Sequence, residues 1–106
     1  MREELKPILA ELRRELEALY GDRLVQLILY GSQARGDADP ESDIDVLVVL
    51  KGPVDSGEEI DRTSYFTASL SLKYDVVISR VFVAQDRFQE EQNSFLFNVR
   101  KEGILI

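Results

Sequence analysis

Residues 30–50 read YGSQARGDADPESDIDVLVVL, a polar, acidic loop running into an apolar strand. On its N-terminal side, Leu24–Tyr30 (LVQLILY) is a run of strand-forming side chains that ends at Gly31. After the loop GSQARGDADPES, Asp43 to Leu50 reads as a second strand. Further upstream, Leu5, Ile8, Leu9, Leu12, Leu16 and Leu19 recur at the 3–4 spacing of one helical face. Pro7 falls in the first turn of that helix, and Gly21 is its expected stop. Downstream, Gly52 and Pro53 break the chain, and Ser56 with Glu59 resembles a capping box. It predicts a second helix to about Lys73, followed by a third strand over Tyr74 to Ala84. Asp86 and Ser94 are expected caps of two short helices, the second stopping at Gly103. The order implies an α/β (α+β) fold: one domain over residues 1–106, with helices on at least one face of a small mixed sheet.

The composition narrows the chemistry. Of 106 residues, 44% are apolar and 31% charged, the balance of a globular domain rather than a disordered chain. There is no His and no Cys. That excludes Ser-His-Asp and Cys-His hydrolases, the usual zinc sites and imidazole acid–base catalysis. A metal would have to be held by oxygen, so Mg²⁺, Mn²⁺ and Ca²⁺ are the candidates. Thirteen basic against 20 acidic residues give a net charge of −7, a poor footprint for gripping nucleic acid. MREELKPILAELRRE is too charged for a signal peptide, and the longest apolar run, Val46 to Leu50, is far too short to span a bilayer. With no cysteine, the expectation is a soluble, cytoplasmic protein that engages no membrane.

Three motifs compete for the central loop. Gly31-x4-Gly36 has the spacing of a phosphate-binding P-loop, but Asp37 and Ala38 stand where Lys and Ser or Thr are needed. An aspartate there would repel phosphate. Asp37, Asp39, Glu41, Asp43 and Asp45 alternate like calcium-loop ligands. That loop needs Gly at its sixth position and Glu at its twelfth, and both possible registers fail. The reading that fits is a Gly-Ser pair at a strand end, ten residues, and then Asp43-x-Asp45 opening the next strand. Residues two apart on a strand share a face, so both carboxylates stand side by side. Such a cluster is tolerable when one member keeps a proton or a divalent ion neutralises it.

GSQARGDADPESDID resembles the signature of the DNA polymerase beta-type nucleotidyltransferase superfamily, and specifically its minimal nucleotidyltransferases, the MNT family. The likeness covers Gly31 to Asp45 and extends more weakly to Asp75 and to the closing EGILI. It implies that Gly31 lets the backbone approach a ligand and that Ser32 and nearby N–H groups bind nucleotide phosphates. Asp43 and Asp45 would hold one or two Mg²⁺ ions, with Asp75 as the third carboxylate of the metal and catalytic set. Arg35 would reach the nucleotide, or else pair with a neighbouring acid. The implied reaction is attack of a hydroxyl on the α-phosphorus of ATP, releasing pyrophosphate. Asp37, Asp39 and Glu41 read as loop solvation. Tyr20, Tyr65, Phe66, Phe88, Phe95 and Phe97 read as core or interface rather than stacking platforms.

The resemblance also implies a partner. Minimal nucleotidyltransferases commonly act as antitoxins beside a HEPN-domain ribonuclease toxin, which sets up transfer of AMP to a toxin tyrosine. A binding module that neutralises its partner without turnover, and transfer to a small molecule such as an aminoglycoside, are the competing readings. If helices cover one face only, Leu47, Val49, Val77 and Val81 would leave an apolar surface beside the carboxylates, open to a toxin or to another subunit.

Overall fold

The computed structural model describes residues 1–106. Nine principal elements follow in order: α1 Leu5–Tyr20, β1 Leu24–Tyr30, α2 Ser32–Arg35, β2 Ile44–Leu50, α3 Ser56–Tyr74, β3 Ile78–Ala84, α4 Gln85–Glu90, α5 Ser94–Glu102 and β4 Ile104–Leu105. The strands form one mixed sheet in the order β3-β2-β1-β4. β1 is antiparallel to both β2 and β4, while β2 and β3 run parallel, joined by the crossover α3.

The helical periodicity of α1 becomes its packing. Leu5, Ile8, Leu9, Leu12, Leu16 and Tyr20 are buried, whereas Leu19 faces out. No side chain caps its first turn. Each buried side chain contributes on the order of 2 kcal/mol, more than the ~1 kcal/mol a missing cap costs, so packing holds this helix. Together with α3 it covers the face of the sheet bearing Leu27, Leu29, Ile44, Val46, Val48 and Leu50.

The opposite face is also covered. Leu47 and Val49 pack with Ile28, Val83, Phe88, Leu96 and Val99 beneath α4 and α5. The expected open surface is therefore reduced to its β3 end, where Val77 and Val81 remain exposed. β2 is buried on both faces; it starts at Ile44 rather than the expected Asp43, so Asp45 lies at its N-terminal end and Asp43 immediately before it.

Several local expectations are corrected. Asp55 rather than Ser56 caps α3, its side chain accepting from the Glu58 N–H. Glu59 turns inward instead of completing a capping box, and accepts a hydrogen bond from the Tyr20 hydroxyl at 2.8 Å. Burial, more than this bond, pushes the Tyr20 phenol well above its usual range. Asn93 caps α5, one residue before the expected Ser94, and Ala84 precedes α4 in place of Asp86. Beyond α5, Ile104–Leu105 adds a short fourth strand, β4, where the sequence predicts none. The third strand starts at Ile78 rather than Tyr74, because α3 continues through Tyr74 and Asp75 closes it in the left-handed conformation (φ 53°, ψ 53°).

Candidate active site

The strand–loop–strand unit folds so that the two ends of the loop meet. Gly31 leaves β1 with φ +74°, a conformation that favours glycine, and starts the single turn of α2. A Cβ built on Gly31 would lie 2.6 Å from Oδ2 of Asp45. The missing side chain is what lets the Asp45 carboxylate sit against the backbone of the turn. Gln33 holds the far side of the loop. It is buried, and its Nε2 donates to the Ser42 carbonyl at 3.2 Å, immediately before Asp43. The Ser42 hydroxyl in turn accepts from the Asp39 N–H.

Asp45 is half-buried at the N-terminal end of β2, opposite Tyr30 on β1 and Ser79 on β3. Burial, and then the charge of Asp43, raise its pKa above the usual carboxylate value. Burial, and then the charge of Asp45, raise the Tyr30 phenol as well. Neither Asp43 nor Asp45 is paired with Lys or Arg: eight ion pairs hold the surface and none includes them. A neighbouring pair of carboxylates, of which Asp45 is raised by burial and by the charge of Asp43, with no basic partner, suits an oxygen-ligated divalent cation.

The structure does not assemble three carboxylates. No group of three or more acidic side chains is gathered closely enough to hold a metal ion. Asp75 is exposed at the C-terminus of α3, on a surface cleft with Pro40, Glu41, Ser42, Val76 and Val77. It lies at the same end of the sheet as Asp43, but as a helix cap and not on the strand. The positions beside the pair on the third-strand side are Val77, just before β3, whose carbonyl accepts from the Ile44 N–H, and Ser79. Replacing Asp75 with glycine relieves the left-handed backbone and is expected to stabilise the fold by about 1 kcal/mol. If the nucleotidyl transfer that the motif implies, measured beside the denaturant midpoint of this variant, falls a hundredfold, Asp75 acts at the site.

Arg35 is exposed and bridges Asp37 at 3.2 Å and Glu102 of α5 at 3.4 Å. Contact with a phosphate would replace these pairs. Beside it, a cleft of about 290 Å³ is lined by Tyr30, Gly31, Arg35, Phe95, Asn98, Val99 and Glu102. The Phe95 ring meets Tyr30 edge-on at 5.3 Å. Reading the sequence missed Gln33, Asn98 and Glu102 as parts of this region. Asn98 and Glu102 share one face of α5 with Phe95, a helical spacing visible only once α5 is known to flank Gly31. A wider cleft of about 580 Å³ lies at the other end of β1 and β2, but its arginines are already engaged. Arg62 pairs with Glu58 and Glu59, and Arg23 donates to the carbonyls of Lys51 and Pro53.

The nucleotidyltransferase domain family matches residues 9–105. The chain belongs to that family. Among relatives of this nucleotidyltransferase, the candidate protein adenylyltransferase MJ0141 of Methanocaldococcus jannaschii is 33% identical over 95% of this chain and 97% of its own. Protein adenylyltransferase MntA of Thermococcus cleftensis is 33% identical over 72% of this chain and 75% of its own. Solved structures share the fold at lower identity. A minimal nucleotidyltransferase candidate superposes with a TM-score of 0.61 at 23% identity, covering 96% of this chain and 95% of that one. A toxin–antitoxin structure with AMP-PNP superposes with a TM-score of 0.60 at 20% identity, covering 90% and 69%. The mixed sheet with helices on both faces is the nucleotidyltransferase fold. No helix of the chain is long and apolar enough to cross a membrane.

Proposed function

We propose that this nucleotidyltransferase transfers AMP from ATP to a hydroxyl of a partner protein and thereby acts as an antitoxin. The partner in this reading is a HEPN-domain ribonuclease toxin, and its tyrosine supplies the hydroxyl. The observation that carries the proposal is the unpaired Asp43/Asp45 carboxylate pair, with Asp45 seated against the glycine turn that starts α2. The names of its relatives, protein adenylyltransferases, support the group transferred, and a toxin–antitoxin neighbour holding AMP-PNP supports the setting.

The hydroxyl oxygen forms a bond to the α-phosphorus as the bond to the β-phosphate oxygen breaks. Pyrophosphate leaves with the electron pair, and the hydroxyl proton passes to solvent or to a nearby carboxylate. Asp43 and Asp45 would hold Mg²⁺, which when bound neutralises charge on the attacking and leaving oxygens. Ser32 and the turn at Gly31 lie where the polyphosphate would meet backbone and hydroxyl donors, and Arg35 can swing from Asp37 toward it. Gln33 holds the loop that carries Asp43, a positioning role.

The test uses ATP labelled in turn on its α- and γ-phosphate, with Mg²⁺ and the protein that co-purifies with this chain. The α-label should join the partner, with one pyrophosphate released per label incorporated. Transfer of the γ-label would make the reaction a phosphorylation, and no transfer of either would leave a binding module.

A further inference from the structure

β3 is an edge strand of seven residues, adjacent to the strand that bears the carboxylate pair. Its ladder with β2 turns the Val77 carbonyl inward, onto the Ile44 N–H at 2.8 Å. By the parity of a parallel ladder, Ile78, Arg80 and Phe82 then point their N–H and C=O groups outward, where no backbone partner meets them. Natural edges are usually protected by a lysine, a proline, a bulge or an outward charge. ISRVFVA has one charge, Arg80, and it is turned onto α3: Nε donates to Thr63 Oγ1 at 2.8 Å and Nη2 to the Ile60 carbonyl at 3.2 Å. The edge is open.

The side chains along it are arranged by period. On the face of Asp45, Ser79 is its register partner, flanked two residues either way by Val77, 59% exposed, and Val81, 36% exposed. Beyond Val81 a small apolar cleft of about 70 Å³ opens between Leu47, Val83, Phe95 and Leu96. The Gly31–Ser32 turn lies on the other side of β2, at the end of β1. Attacking and leaving oxygens are in line at a transferring phosphorus. With the polyphosphate toward Gly31–Ser32, the hydroxyl must arrive from the β3 side.

We propose that the acceptor protein docks as an extended segment paired with the free edge of β3, its hydroxyl residue level with Ser79 and an apolar residue two positions away in the cleft beyond Val81. This rests on the adenylyltransferase reading and deepens it. Strand addition supplies affinity through main-chain bonds and specificity through alternate side chains. A second copy of this chain is the poorer occupant: each carries −7, and pairing two such edges would fill the approach that the hydroxyl needs.

The probe is a capped seven-residue peptide with a central tyrosine, valine two positions to either side and threonine elsewhere. It is added at saturating concentration to the full chain with Mg²⁺ and a non-hydrolysable ATP analogue. Amide hydrogen exchange should slow about tenfold or more at Ile78, Arg80 and Phe82, with no change at the β4 edge, Ile104–Leu105. Unchanged exchange at those three amides overturns the docking. So does protection present before the peptide is added, together with a dimer by sedimentation. With ATP itself, AMP should appear on the tyrosine. Protection without such transfer overturns the underlying reading, whereas transfer without protection overturns the docking alone.

Discussion

Asp45→Asn should cut AMP transfer steeply while raising the melting temperature of the free protein at neutral pH. Burial and the neighbouring Asp43 raise the Asp45 pKa, so the fold favours the protonated, uncharged form. A group whose pKa is raised on folding contributes stability below its unfolded value, and that stability is lost as pH rises through the folded value. At pH 7 wild type has lost it; asparagine never carries the charge. The gain in melting temperature, measured without divalent ions, should be full at neutral pH and shrink as pH falls below the raised value. It should vanish below the ordinary aspartate value of 3.8. Transfer should drop about 10³-fold, the scale on which a charge aimed at a reacting centre acts. A variant that gains stability and still transfers AMP at the wild-type rate removes Asp45 from the site. One that loses transfer yet still neutralises its partner in cells makes antitoxin action a matter of binding.

Gly31→Ala should be nearly as damaging, for a geometric reason. At φ +74° and ψ −158° Gly31 holds a backbone conformation essentially reserved for glycine, which costs an alanine on the order of 1–3 kcal/mol. The graver problem is the Cβ, placed 2.6 Å from Asp45 Oδ2 and able to be relieved only by moving the carboxylate or the turn. A displacement of about 1 Å at a reacting centre costs on the order of 100-fold in rate. Gly36→Ala is the control for a positive φ without the clash, because Gly36 has φ +83° but no atom within 4 Å of its Cβ position. Gly36→Ala, in the left-handed region, should lose about 1 kcal/mol in denaturant titrations, and Gly31→Ala more. Only Gly31→Ala should lose transfer; equal activities would show that the close approach to Asp45 does not matter.

The meeting of these two residues was legible in the sequence because the spacing that sets it is local. Gly31 ends an apolar strand and Asp43-x-Asp45 opens the next, so strand period alone puts both carboxylates on one face. The helix face of α1 and the antiparallel pair β1–β2 follow from periodicity in the same way. Asp75 was misplaced because KYDVVIS suits a strand as well as a helix end. What decides it is the buried face of α3, Thr63, Thr67 and Leu70, which carries the helix through Tyr74 and leaves Asp75 to turn the chain. Gln33 was unreadable for a different reason. A glutamine in a polar loop looks solvated until the loop closes over it and gives its amide a carbonyl to bind. Likewise, Ser56 and Ser94 are reasonable caps, but Asp55 and Asn93 one residue earlier have the side chains that reach the N–H groups.

The position of Asp45 on β2 bears on how the site fails. That strand lies between β1 and β3 and is buried on both faces, with Val46, Leu47 and Val48 each fully enclosed. Segments built this way open only when the whole molecule unfolds, whereas surface turns open on their own. Asp45 therefore has no private route to disorder, and its working lifetime is the lifetime of the folded chain.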